Sequence, residues 1–242
     1  MKIDEIEKKY KQVYETSDGN YLVSTRKPEE SDDVEYWEAH TDLEAVYGGE
    51  GNWGLVDKDG NVIVEPKYVY PFMECGDNYQ VMLPYEYQEI DGKNWIVKLK
   101  HGLLDRKGNI IIPIKYLYME AMDNTGTYFW VVDIKNYKSG VLDKNNNIVV
   151  PFQYDYIKAS PDLALMINTK YGSIYPDHIY QAKVGNNNLY GVYDLELRKE
   201  IIKPKYKCLK IIGYNRFLVG EDYDSCNTLI DEKEQIIKNI CD

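Results

Sequence analysis

The chain has 242 residues, a formal net charge of −11 and a sequence pI of about 4.9. This acidic balance disfavours direct nucleic-acid binding, because phosphates are held mainly by lysine and arginine. The four cysteines form no Cys-x-x-Cys pair, which predicts a chain without a disulfide framework in a reducing compartment. No apolar stretch has the length of a signal-peptide core or a membrane span, so we expect a cytoplasmic protein that does not enter a membrane.

Residues 1–16 have a helical pattern. Apolar side chains recur at intervals of three and four, with glutamate and lysine between them: Ile3, Ile6, Tyr10 and Val13. This pattern predicts an amphipathic helix over residues 3–15. Such a helix would cap the first unit of the repeat array described below, since an uncovered sheet edge invites aggregation. A frayed terminal tail is the alternative.

Residues 17–50 form an acidic, aromatic-containing segment that leads into the first repeat. Between positions 29 and 50 the sequence has nine acidic residues and no lysine or arginine. One interpretation is a solvated loop that aids solubility. The other is a surface for a basic protein partner, on which acids steer the encounter and rings provide buried area. The candidate partner-binding residues are Glu29, Glu30, Asp32, Asp33, Glu35, Tyr36, Trp37, Glu38, Asp42 and Glu44.

Residues 51–242 contain a unit that is written five times. Each copy has a short strand ending in Asp, a polar turn and a β-branched run, followed in the first four copies by Pro and Tyr. The repeated aspartates are Asp57, Asp105, Asp143, Asp194 and Asp231. They are separated by 48, 38, 51 and 37 residues, whereas Asp and Tyr are separated by 11, 11, 11 and 12 residues. A fixed hairpin with variable connections predicts an antiparallel β-repeat array of three or four strands per unit.

The turn of each hairpin has the residues that a tight reversal needs. We expect the Asp57 carboxylate to accept a hydrogen bond from the backbone N–H two residues on, and Gly60 or Asn61 to adopt a left-handed conformation. The fourth turn, residues 195–199, has neither Gly nor Asn and should differ. Tyrosines spaced by two follow the first three hairpins and are expected to pack in the core: Tyr68 and Tyr70, Tyr116 and Tyr118, Tyr154 and Tyr156.

Two long connections contain the additional residues of the wider intervals. Residues 84–94 and 168–177 are rich in Pro, Gly, Asp and Tyr and are predicted to form protruding loops. Loops on a rigid array commonly carry its recognition surface. Exposed rings at loop tips would suit stacking on sugars, which makes four tyrosines an alternative ligand site: Tyr85, Tyr87, Tyr171 and Tyr175.

The unit resembles the WG repeat of bacterial proteins, in which Trp-Gly opens the strand that ends in Asp. Trp53-Gly54 is the complete match, and Gly102, Gly140 and Gly191 keep the glycine, whereas the fifth copy has Thr228 at that position. The resemblance covers roughly residues 50–240 and implies an all-β array without an assigned catalytic activity. We expect an open, twisted solenoid with a short N-terminal capping helix, and a closed, propeller-like ring of five blades is the alternative.

The sequence offers little for catalysis or for metal binding. Residues 57–61 resemble the opening of a calcium loop, but the glycine and the final glutamate of such a loop are not in place. The three histidines stand apart from one another in the sequence, and Cys75 with His178 is the candidate pair of nucleophile and base. We therefore expect no metal, no cofactor and no enzyme activity.

The predicted function is a non-enzymatic protein-binding module. Its sharpest form is an immunity or inhibitor protein that occludes a basic partner through the acidic, aromatic segment. The alternative is a carbohydrate- or envelope-binding repeat protein that uses the loop tyrosines. No terminal cap is visible after the last repeat, so the edge at residues 235–240 could also pair with another chain.

Overall fold

The computed structural model describes residues 3–25, 46–47, 52–90, 92–122, 125–159, 163–168, 189–213 and 215–240. These residues form one short helix and twenty strands. The strand pairs with an assigned register are all antiparallel. The predicted all-β, antiparallel repeat fold with an N-terminal helix is therefore confirmed. The choice between an open array and a closed ring stays a prediction.

The chain divides into two compact units, Met1–Met119 with Asn124–Gly126 and Glu120–Asp123 with Thr127–Asp242. The elements of the first unit are α1 (Ile3–Lys9), β1 (Gln12–Glu15), β2 (Tyr21–Ser24), β3 (Val46–Tyr47), β4 (Trp53–Val56), β5 (Val62–Tyr68), β6 (Met73–Cys75), β7 (Asn78–Ile90), β8 (Lys93–Asp105) and β9 (Ile110–Ala121), which ends just inside the second unit. One sheet has the order β1-β2-β4-β5. In the other, β6, β7, β8 and β9 follow in order, and β3 also pairs with β8.

The second unit contains the later repeats. Its strands are β10 (Tyr128–Asp133), β11 (Ser139–Asp143), β12 (Ile148–Tyr154), β13 (Tyr156–Ala159), β14 (Leu163–Asn168), β15 (Leu189–Asp194), β16 (Lys199–Tyr206), β17 (Cys208–Gly213), β18 (Arg216–Gly220), β19 (Thr228–Ile230) and β20 (Ile236–Asn239). Strands β10 to β12 follow in order, and β13 to β16 and β17 to β20 form two four-stranded sheets. The predicted division at residues 16 and 50 stays a prediction.

The N-terminal helix packs on the first repeat but is shorter than predicted. Ile6 and Tyr10 are buried in one cluster with Val23 and Val56. The helix ends at Lys9, and the segment that carries Val13 is strand β1, so the prediction of a helix to residue 15 was wrong. Pairing with β2 provides this segment with backbone partners, which overrides its helical periodicity.

The turns have the predicted chemistry. Oδ1 of Asp57 accepts hydrogen bonds from the backbone N–H groups of Asp59 and Asn61 at 2.9 and 2.8 Å. The side-chain hydrogen bond from Asn61 is the main cause of a lowered pKa of Asp57. The residue three positions after the aspartate has a positive φ in four copies: Gly60, Gly108, Asn146 and Glu234. The fourth turn differs as predicted, since Asp194 accepts from the N–H of Leu197 and the left-handed residue is Arg198.

The repeated glycine is explained by the path of the partner strand. Between β4 and β5 the register shifts on both sides of Leu55, so that β5 passes close over Gly54. A Cβ atom on Gly54 would lie 2.5 Å from the carbonyl oxygen of Val64. In the fifth copy the register shift next to this position is missing, and Thr228 pairs directly with Asn239. A side chain is therefore accepted in the fifth copy because its partner strand does not bulge there.

Successive repeats stack on one another within each unit. In the first unit, a Cβ on Gly108 would meet Cγ2 of Val64 at 2.6 Å, so the second turn lies on the first hairpin. In the second unit, hydrogen bonds and ion pairs join neighbouring copies: Tyr193 Oη to the Val149 carbonyl, Arg198 to Asp143, Tyr154 to Glu200 and Tyr206 to Glu234. Tyr68, Tyr116 and Tyr154 are buried, which confirms their predicted core role, whereas Tyr70, Tyr118 and Tyr156 are half-buried.

Cys208 and Cys226 form a disulfide, so the prediction of a chain without one was wrong. The sequence separates these cysteines by 18 residues, but β17 pairs Cys208 with Gly220, and the chain then folds back so that the N–H of Asn227 bonds the carbonyl of Val219. Pairing across strands thus brings together cysteines with no spacing signature. The predicted cytoplasmic location rested partly on unpaired cysteines and stays a prediction.

Candidate functional site

Strands β7 and β8 form a long hairpin, which we call the arm where it extends beyond Leu83 and Lys100. The pairing is continuous from Asn78 with Asp105 to Ile90 with Lys93, apart from two register shifts. Thirteen residues per strand correspond to about 40 Å of extended chain. Most of residues 84–94 therefore belong to paired strands, and the prediction of a protruding loop there was wrong. The alternation of aromatic and polar residues after Pro84 is typical of a strand, but the Pro and Gly residues of this segment favoured a loop.

The arm exposes two of the predicted ligand-site tyrosines. Tyr85 is 50% exposed and Tyr87 is 57% exposed. Tyr85 lies at the first register shift, where Pro84 pairs with Leu99 and the next pair is Glu86 with Lys98. A bulge at a proline is typical of strands that redirect a side chain. The arm thus presents two aromatic rings outside the core, supported by regular backbone pairing instead of by a mobile loop tip.

An ion pair fixes the local geometry between these two rings. Nζ of Lys98 lies 2.7 Å from Oε2 of Glu86, and the side chains are 35% and 49% exposed. Exposed pairs of this kind contribute little to stability, on the order of 0.5 kcal/mol. Its effect on the arm is mainly one of position, because it joins the two strands on the rung between Tyr85 and Tyr87.

A short strand, β3, completes the arm as a third strand. Val46 pairs with Ile96 and Tyr47 pairs with Trp95, on the part of β8 that β9 does not reach. Ile96 in turn pairs with Tyr87 and is only 2% exposed. One rung therefore runs from Val46 through a buried isoleucine to an exposed tyrosine. Strand β3 was not predicted from the sequence, although its two adjacent residues both have high β propensity.

The base of the β7–β8 hairpin is fixed by a charged cluster. The guanidinium of Arg106 lies 4.2 Å above the ring of Tyr79, 3.0 Å from Glu74 and 2.8 Å from the carbonyl of Gly76. Tyr79 donates a hydrogen bond to Asp18 at 2.9 Å. Burial would raise the pKa of Glu74, but hydrogen bonds from Ser17 and Arg106 outweigh this effect and lower it. These contacts hold together three turns that are distant in the sequence, near residues 18, 76 and 106, at the base of the hairpin.

The acidic candidates lie outside the described residues, but both ends of their segment are fixed. These candidates are Glu29, Glu30, Asp32, Asp33, Glu35, Tyr36, Trp37, Glu38, Asp42 and Glu44. On one side, Thr25 and Asn52 exchange two hydrogen bonds of 3.2 and 3.0 Å next to β2 and β4. On the other side, β3 begins at Val46, two residues after Glu44, and is paired with the arm.

Further predicted residues are placed as follows. Tyr171, Tyr175 and His178 lie outside the described residues. Cys75 is a buried free thiol, and burial raises its pKa, which is the environment of a structural cysteine. Among the described residues no group of His, Cys, Asp or Glu side chains is arranged to hold a metal ion. None of the helical residues that the structure describes forms a helix long and apolar enough to cross a membrane.

A buried polar network lies behind Cys75 and was not predicted. Nε2 of Gln80 donates to the Met119 carbonyl at 2.7 Å and lies 3.3 Å from Nδ1 of His101, while Oε1 of Gln80 lies 3.9 Å from the Cys75 sulfur. Burial lowers the pKa of His101 to about 4, so the imidazole is neutral near pH 7 and Nδ1 acts as the acceptor. His101 occupies the place of the tryptophan in the repeat, which is a core position.

The fold defines an all-β protein built from repeated antiparallel hairpins with aspartate-capped turns. The family model described as WG containing repeat matches residues 53–70, 102–133 and 140–160. Three stretches of the chain therefore match the WG repeat, as the resemblance predicted. The hairpins β15–β16 and β19–β20 continue the series beyond the matched stretches. No curated protein matches the chain.

Proposed function

We propose that this WG-repeat protein is a protein-binding module that uses the arm together with the acidic segment as one surface for a basic partner. A single observation carries the proposal: β3, at the end of the acidic segment, is hydrogen-bonded to the arm that exposes Tyr85 and Tyr87. The acidic candidates end at Glu44, two residues before a strand that is paired with the arm.

The two parts of this surface have different physical roles. Nine acids between positions 29 and 50, without a lysine or arginine, account for 9 of the 11 net negative charges. Such a charge density raises the association rate for a basic protein and makes binding sensitive to salt. Tyr85 and Tyr87 would provide the anchors, because tyrosine buries a large ring at low entropic cost and keeps its hydroxyl hydrogen-bonded.

In its most specific form, the module is an inhibitor or immunity protein. A partner that acts on nucleic acid or on another polyanion needs a basic cleft, and an acidic surface fills that cleft without any chemical step. The arm suits this role because its rings are held by paired strands, so little conformational entropy is lost on binding.

The test uses the immobilised full chain to capture partners and then a purified partner to measure affinity. The double variant Tyr85→Ala and Tyr87→Ala should weaken binding about 30-fold or more, because truncating an anchor aromatic costs about 2 kcal/mol. Tyr14→Ala is the matched control, since Tyr14 is also 55% exposed in the first unit but belongs to β1, which is in a different sheet from the arm.

Charge reversal tests the acidic part separately. Glu35→Lys, Glu38→Lys and Asp42→Lys together should slow association severalfold, with the largest effect at low salt. Unchanged affinity in both sets of variants would refute the proposed surface. Loss with the tyrosine variant alone would limit the surface to the arm.

A carbohydrate ligand is the second candidate, because half-exposed rings on a rigid strand also suit stacking on sugars. The same double variant of Tyr85 and Tyr87 distinguishes the two functions. A glycan ligand would bind with little dependence on salt and would be unaffected by the charge reversals, whereas a basic protein would respond to both. A glycan array without a hit would remove this candidate.

A further inference from the structure

The last strand of the fifth repeat is an exposed apolar edge. All four residues of β20 are exposed, and three isoleucines in and beside it carry large exposed fractions: Ile236 at 66%, Ile237 at 46% and Ile240 at 39%. In the sheet β17-β18-β19-β20, only β19 pairs with this strand among the described residues. Isolated apolar residues on a surface need no explanation, but three along one unpaired edge do.

The equivalent face of earlier repeats is covered by the next repeat. Ile237 lies six residues after its aspartate, as Ile63 and Val149 do. A Cβ on Gly108 of the second turn would lie 3.3 Å from Cγ2 of Ile63. Tyr193 of the fourth copy donates a hydrogen bond of 2.9 Å to the carbonyl of Val149. Ile237 therefore belongs to a face that is built to receive a neighbour.

Proline protects the outer strands of the other repeats but not β20. The outer strands β5, β12 and β16 contain Pro66, Pro151 and Pro204, respectively. Proline lacks the N–H that a further strand would bond, so it blocks edge pairing. The segment Ile236–Asn239 has no proline, and its register is regular at Asn239. Among the outer strands β5, β12, β16 and β20, it is thus the one that keeps its full set of backbone donors.

The corresponding side of the first repeat is covered by the N-terminal helix. Val56 precedes Asp57 as Tyr193 precedes Asp194, so Val56 marks the side of the first repeat that would contact a preceding repeat. Helix α1 covers this residue through Ile6 and Tyr10. A second copy therefore cannot dock its first repeat onto β20 without displacing the helix.

We infer that two copies of the chain associate tail to tail through β20. A two-fold axis beside the strand makes the two copies of β20 antiparallel, the pairing found throughout this fold, and the self-complementary contact closes at two subunits. The contact buries isoleucines from both copies. The strand is short, so the dimer is expected to be weak and to form at micromolar concentrations or above. This association is independent of the basic partner proposed above.

The most direct variant restores the missing proline. Asn239→Pro copies the repeat position of Pro113 and Pro151, eight residues after the aspartate. The N–H of Ile240 points inward, to the carbonyl of Asn227 at 2.7 Å, so the N–H of Asn239 points away from β19. The substitution therefore removes an outward donor and leaves the β19–β20 ladder intact.

Sedimentation velocity of the full chain over a concentration series measures the association. We expect a reversible monomer–dimer equilibrium whose dissociation constant rises about tenfold or more in Asn239→Pro and in Ile236→Lys. Ile148→Lys is the matched control, because Ile148 is 59% exposed at the same repeat position but lies on a proline-protected strand. It should leave the equilibrium unchanged, and circular dichroism should show native folding in all three variants.

Two results would overturn the inference. A chain that stays monomeric at every concentration shows that the edge does not pair. A dimer that is unaffected by both β20 variants, or that is weakened equally by Ile148→Lys, is held together elsewhere.

Discussion

Replacing Gly54 by alanine should destabilise the first unit, although the same change stabilises a protein at positions where alanine fits. The new Cβ would lie 2.5 Å from the carbonyl oxygen of Val64 and 2.7 Å from the nitrogen of Pro66. Both contacts are with backbone, which cannot move aside as a side-chain tip can, so β5 must shift. Forced overpacking of this kind costs about 3 kcal/mol. For a chain of this size the melting temperature should fall by about 6 to 12 °C.

Thermal unfolding followed by circular dichroism measures this effect, with Gly213→Ala as the control. Gly213 has no atom within 4 Å of an added Cβ, so its substitution should change the melting temperature by about 2 °C at most. If Gly54→Ala melts as the control does, the close approach of β5 is not the reason for the glycine in this repeat. The same comparison at Gly191, where the nearest carbonyl is also 2.5 Å away, would then fail as well.

Three further predictions concern the network around His101, the cluster around Arg106 and the disulfide. The folded-state pKa of His101 is about 4, which is below its unfolded value. The free energy of unfolding should therefore decrease by about 3 kcal/mol as the pH falls from 6.5 to about 4. His101→Gln should flatten this part of the pH profile, measured by urea unfolding. Arg106→Ala should cost about 2 kcal/mol by the same assay, since several partners lose their charged donor. The control Arg198→Ala, at a pair with a half-exposed guanidinium, should cost less than about 1 kcal/mol, and equal losses would contradict the cluster's role. Replacing both Cys208 and Cys226 by serine should lower stability by about 3 kcal/mol, and an unchanged melting temperature would show that the disulfide does not constrain the unfolded chain.

The repeat fold was predictable because its determinants are local. The hydrogen bonds of Asp57 join residues no more than four apart. Gly60 adopts the positive φ that the turn requires at one position. Five phased copies of this pattern predict antiparallel hairpins without knowledge of the tertiary structure. The core position of Tyr68 follows from the same periodicity.

The features that position the candidate site were less accessible because they depend on pairing between distant residues. Strand β3 has two residues, too few for a periodic signal, and its partner Ile96 lies 50 positions from Val46. Likewise, Arg106 has the sequence position of an ordinary turn residue, and its ion pairs with Asp18 and Glu74 form only in the folded structure. Pro84 suggested a loop, whereas the structure uses it at a bulge within a strand. Local propensity cannot reveal such contacts.

The proposed surface for a basic partner is tested most directly by a comparative capture experiment. The full chain, the Tyr85→Ala and Tyr87→Ala double variant, and the charge-reversal variant of Glu35, Glu38 and Asp42 are immobilised and exposed to lysate of the source cells at low and moderate salt. Quantitative mass spectrometry then compares the captured proteins. We predict one stoichiometric basic protein that binds the unmodified chain, is released by salt and is lost from both variants. Equal capture by all three proteins, or a partner that is indifferent to salt, would contradict the proposed function.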